Sequence, residues 1–105
     1  MSVFVSIEDK EGEGLVPVVD VDRIHRRFAE AADSVCLRFI SEAEDASFNQ
    51  LQLPLLVAEL DKLAASADLR ADEREELTLI LRVCRRFQDK PGVHARFYGE
   101  RGRGE

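Results

Sequence analysis

Two cysteines, two histidines and 21 carboxylates are the side chains from which this 105-residue chain could build a reactive site. Cys36 and Cys84 lie far apart, and neither has the C-x-x-C neighbour of a redox pair. A zinc site would need both of them to join His25 and His94. Cys84 belongs to a helical apolar stripe, however, so both thiols read as reduced, buried small hydrophobes. The usual catalytic kits are absent from the sequence: G-x-S-x-G, the Walker loop, the Rossmann glycine fingerprint and H-E-x-x-H. Glycines fall at 12, 14, 92, 99, 102 and 104, in loops and tail rather than between a strand and a helix. The acidic run Glu42, Glu44, Asp45 lacks the alternating oxygen ligands and fixed glycine of a calcium loop. The chain is therefore expected to be non-enzymatic, with no catalytic residue, metal ligand or cofactor.

Charge is more informative about partners. The net formal charge is −6, but it is unevenly spread. Residues 1–22 carry six acids and one base, and residues 59–76 carry seven acids and three bases. Residues 82–105 reverse this, with seven bases and three acids. Arg82, Arg85, Arg86, Arg101 and Arg103 thus form a candidate basic patch for phosphate or nucleic acid. The plainer reading is a helix C-terminus that complements its own dipole, followed by a soluble tail. An acidic chain with few aromatic stacking platforms favours the plainer reading.

The elements that must position these groups follow from periodicity. Ser2–Ile7 alternates as a strand, with Val3, Val5 and Ile7 on one face. Residues 8–14 break it with charge and glycine, and Pro17 confines Leu15–Val19 to an edge or a connection. Asp20 is placed to cap a helix running to about Asp33, whose apolar face is Val21, Ile24, Phe28 and Ala31. Val35–Ile40 reads as a second strand, turning through 41–45 into a hairpin arm at Ala46–Gln50. Pro54 suits the first turn of a helix with Leu53, Leu56, Leu60 and Leu63 buried. A last helix starts near Asp72, with Glu75 completing a capping box. Its apolar face is Leu77, Ile80, Leu81, Cys84 and Phe87, and it stops at Pro91-Gly92. Val93–Tyr98 is the closing strand.

The expected fold is α+β: a two-layer sandwich in the order β-α-β-β-α-α-β. Three helices cover one face of a small, mostly antiparallel sheet of three to four strands. Residues 1–98 form one domain, and 99–105 form a charged tail. Val35–Ile40 and Val93–Tyr98 share a template with arginine at the fourth position. If they are neighbours, the uncovered sheet face presents Arg38, Ile40, His94, Arg96 and Tyr98. Arginine and tyrosine suit an interaction face, because each joins apolar area to a polar handle.

The segments Cys36–Ile40, Phe48–Gln52 and Phe97–Gly99 resemble those of a group of small uncharacterised bacterial α/β proteins. That likeness implies a bacterial cytoplasmic domain and carries no activity or site residue with it. The functional expectation is a protein-interaction module with another protein as partner, in the style of an immunity protein or inhibitor that screens a basic active site with acids. Those acids would come from the loop after the first strand or from Asp68–Glu76. Nucleic-acid or phosphate binding through the basic segment is the alternative. A homodimer is expected through the edge of Ser2–Ile7 and the open face. No apolar run is long enough for a membrane helix, and no basic n-region opens the chain, so the protein is expected in the cytoplasm.

Overall fold

A computed structural model describes residues 3–31, 33–40 and 45–99 of the chain. Its centre is an antiparallel sheet of four strands: β1 (Val3–Glu8), β2 (Val19–Asp20), β3 (Ala46–Phe48) and β4 (His94–Gly99). Their order across the sheet is β2-β1-β4-β3, so the first and last strands lie side by side at the middle. Register sets Val3, Val5 and Ile7 opposite Gly99, Phe97 and Ala95. Those apolar side chains are buried against the helical layer. The alternate pairs, Phe4 with Tyr98, Ser6 with Arg96 and Glu8 with His94, occupy the outer face.

Three α-helices complete the described fold: α1 (His25–Phe28), α2 (Leu53–Ala64) and α3 (Ala71–Phe87). Leu53, Leu56 and Leu60 of α2 and Leu77, Ile80 and Cys84 of α3 are the buried residues that their spacing predicts. The α+β class and the one-sided helical layer are as expected. Phe97 sits at the centre of the core, edge-on to both Phe28 and Phe48.

The turn before α2 is capped by its own side chains. Asn49 Oδ1 accepts from the amides of Leu51 and Gln52, and Gln52 Oε1 accepts from the amide of Asn49. This reciprocal box starts the helical path at Asn49, ahead of Pro54. In α3 no box forms between Asp72 and Glu75; instead Glu73 Oε1 accepts the Arg70 amide at 2.8 Å and Asp72 Oδ1 accepts the Glu73 amide. Between β1 and β2 the tight turn closes with Gly12 at φ 83°, a conformation that only glycine adopts without strain.

Three sequence expectations give way. The helix expected from Asp20 is only four residues long, because the chain around it alternates between i−4 and i−3 hydrogen bonds. Asp20 Oδ1 accepts from Asp22 N, which makes a local turn instead of a long cap. The predicted face survives, since Val21, Ile24 and Phe28 are fully buried.

The expected strand Val35–Ile40 is a 3-10 turn at Leu37–Phe39. Cys36 and Leu37 are both buried while Val35 and Phe39 are more than half exposed, which no period-two element can produce. Its supposed hairpin arm is β3, paired with β4, and residues 41–44 of the supposed turn lie outside the described residues.

Finally, β1 is a central strand. Its outer side is closed by β2, by the Glu8–Gly14 bridge and by the bond from Leu15 N to Ile7 O. Dimerisation through a β1 edge is excluded by that pairing. Of the expected tail, Gly99 belongs to β4 and residues 100–105 lie outside the described residues.

Candidate functional site

The residues chosen for an open sheet face do not form one face. Arg38 and Ile40 lie at the 3-10 turn, away from β4. Ile40 is buried, and Arg38 lays its guanidinium over the Phe39 ring at 4.8 Å. His94, Arg96 and Tyr98 do share the outer side of β4, but as an internally satisfied set. Arg96 Nε donates to Asp45 Oδ2 at 2.8 Å, and its guanidinium lies 4.9 Å from the Tyr98 ring centre. His94 Nε2 is 3.2 Å from Glu8 Oε1. Tyr98 is 3% exposed and its ring packs 5.8 Å from that of Phe4. A hot spot needs accessible apolar area, and Ile40 and Tyr98 do not supply it.

Of the basic patch, Arg82, Arg85 and Arg86 are exposed together towards the end of α3. There Arg85 pairs with Asp61 and Arg86 lies over the Phe87 ring, while Arg101 and Arg103 fall outside the described residues. Asp68, Asp72, Glu73 and Glu76 are engaged at home. Arg27 donates through Nε and Nη2 to the two oxygens of Glu73, each at 3.0 Å, and through Nη1 to Asp68. Glu76 Oε1 accepts the amides of Arg23 and Ile24, while Asp72 pairs with Arg23. The Arg27 fork, helped by the Arg70 amide, holds the buried Glu73 carboxyl below its ordinary range. These groups fasten residues 21–30 to α3.

Another carboxylate performs the same task on α2. Glu59 accepts the successive amides of Val35, Cys36 and Leu37 at 2.7, 3.1 and 3.0 Å. Three consecutive N–H groups converging on one carboxylate suit the start of a helical turn and not a strand, whose successive N–H groups point to opposite sides. Ser34 Oγ accepts the next amide, that of Arg38.

Fastening the turn at Glu59 leaves its two ends outside. Val35 is 55% exposed and Phe39 59%. On α2, Leu55 stands one turn before Glu59 and is 51% exposed, and Leu51, in the turn that leads into α2, is 79% exposed. On the C-terminal side of Glu59 a cleft of about 350 Å³ opens between the chain after α1, the 3-10 turn and α2. Ala31, Leu37 and Leu63 give it an apolar lining, with Arg27, Ser34 and Lys62 as polar groups. Exposed apolar residues of this size, grouped on either side of one anchored turn, are the accessible surface that the outer sheet face lacks.

Cys36 and Cys84 are free and buried, and burial pushes their thiols up to about 11 and about 12. Neither is poised as a nucleophile. Among the described residues no group of three His, Cys, Asp or Glu side chains is placed to hold a metal ion, and no helix is long and apolar enough to cross a membrane.

Of the surface just described, the sequence reading singled out Arg38 alone. It missed Leu51 and Leu55 because only the buried stripe of that helix was traced. A second stripe, apolar but for Lys62, was legible: Leu51, Leu55, Ala58, Lys62 and Ala65 follow one another at spacings of 4, 3, 4 and 3. All five are exposed. No protein family, curated protein or solved structure matches this chain.

Proposed function

We propose that the chain is a non-enzymatic protein-binding module, and that it binds through the outer side of α2 and the 3-10 turn beside it. The carrying observation is the group Val35, Phe39, Leu51 and Leu55, four large apolar side chains that are each more than half exposed. Arg38, stacked on Phe39, adds a polar handle at the rim of the same surface. An inhibitor-like mode based on acids 68–76 finds less support, since Asp68, Asp72, Glu73 and Glu76 are tied to Arg23 and Arg27. Phosphate or nucleic-acid binding finds less support because Arg85 is tied to Asp61 on a chain of net charge −6. Two buried free thiols fit the reducing cytoplasm as the working compartment.

Site-specific photocrosslinking in living cells tests this reading. A photoreactive side chain at Leu55 should give one discrete, saturable adduct that Phe39→Asp removes. The same group at Thr78, on the exposed side of α3, should give none. Equal labelling from both positions would contradict it.

A further inference from the structure

The outward stripe of α2 has the spacing of a coiled-coil seam. Leu51, Leu55, Ala58, Lys62 and Ala65 fall at alternating d and a positions of a 3.5-residue repeat, on the side opposite the buried Leu53, Leu56, Val57 and Leu60. One helix therefore carries two apolar faces, one filled by its own core and one open. The Asn49–Gln52 box extends the helical path far enough back to include Leu51 in the open one.

We infer that this seam binds a second copy of the chain, with the two α2 helices antiparallel. The inference rests on the protein-binding reading above and names its partner. The seam is asymmetric in size: two leucines occupy its N-terminal half, and two alanines and a lysine its C-terminal half. A reversed copy matches large to small in successive layers. Leu55 meets Ala58 of the other copy, and Leu51 covers the aliphatic stem of the other copy's Lys62, whose ammonium reaches out to water.

The flanking charges agree with that direction. In the antiparallel register Glu59 lies across from Gln52, and Asp61 across from Pro54. A parallel pair would instead stack Lys62 on Lys62 within the seam, a like-charge contact that discourages it. Val35, exposed and bonded through its amide to Glu59, stands beside the seam and widens the contact. The layers from Leu51 to Lys62 span about 16 Å of helix. That predicts an interface near the low end of the specific range, about 1,000 Å² in total. Such a pair should dissociate in the micromolar range. Because each copy carries −6, added salt should tighten it by screening repulsion.

Sedimentation equilibrium on the full chain, from about 1 to about 500 µM, reads the affinity. The expected result is a rise from 11.9 kDa towards twice that mass, with a midpoint at least tenfold higher (~10×) for Leu55→Asp. Orientation is read by mild oxidation of single-cysteine variants, the native thiols being buried and unreactive. Mixing Leu55→Cys with Ala58→Cys should give more disulfide-linked pair than either variant alone. A monomer across the whole range would overturn the inference, while a Leu55 photoadduct to a different protein would leave the binding surface standing. A dimer that links best through Ala58→Cys alone would overturn the antiparallel seam.

Discussion

Residues 21–40 and the rest of the fold are held in different ways. The sheet with α2 and α3 is regular: strands are laddered backbone to backbone, and each helix buries a periodic apolar stripe. The described residues of 21–40 include only four α-helical residues and one 3-10 turn, yet Val21, Ile24, Phe28 and Leu37 are as deeply buried as any strand residue. Turn bonds within the segment take many of its amides, and five more are taken by carboxylates from elsewhere, Glu76 at Arg23 and Ile24 and Glu59 at Val35 to Leu37. A chain can thus bury irregular backbone if distant side chains take the place of the missing ladder. The same device leaves Val35 and Phe39 outside, because the turn is fixed by its amides and not by its side chains.

The comparison can be broken from either side. The largest effect belongs to the regular half. Phe97→Ala removes the ring between Phe28 and Phe48 and should cost about 3–5 kcal/mol, read from the denaturant midpoint. Unfolding should stay cooperative, since the central strand is lost with it. Next in size is Glu59→Ala, which leaves three amides without their acceptor and should cost about 1–2 kcal/mol. Here hydrogen exchange should accelerate at Val35, Cys36 and Leu37, while β1 and β4 keep their protection. A uniform loss across the molecule would show that the two regions form one cooperative unit.

Acid should act on the irregular region first. Arg27 holds the Glu73 carboxyl below its unfolded value, so the contribution is complete above the ordinary carboxylate range. It disappears as pH falls through the lower folded value. Protection at residues 23–30 should therefore decline in strong acid before that of the sheet, and Glu73→Gln should remove this acid step. The smallest effect is expected at Arg85→Ala. Its pairing with Asp61 lies between two half-exposed side chains, and the thermal midpoint should hardly move.

This contrast also explains what the sequence could reveal. Alternation marked β1 and β4, and 3.6-residue spacing marked α2 and α3, because in those elements local pattern and tertiary burial agree. The buried face of the α1 region was legible for the same reason, though its length was not. At Val35–Ile40 pattern and packing diverge. Six residues rich in apolar side chains satisfy a strand template, and the deciding partner, Glu59, lies on another element. Placing Arg38 beside Arg96 followed from that one substitution of strand for turn. The outward stripe of α2 was present in the letters at spacings of 4 and 3, but it was hidden by a stronger buried stripe on the same helix.

Native-state hydrogen exchange on the double variant Glu59→Gln with Glu76→Gln tests most directly the claim that carboxylates hold residues 21–40 in place. The amides of Arg23, Ile24, Val35, Cys36 and Leu37 should lose protection together, with β1, β4 and α3 retaining theirs. If those five amides kept their protection in the double variant, the apolar core alone would be fixing the segment, and the account would be wrong.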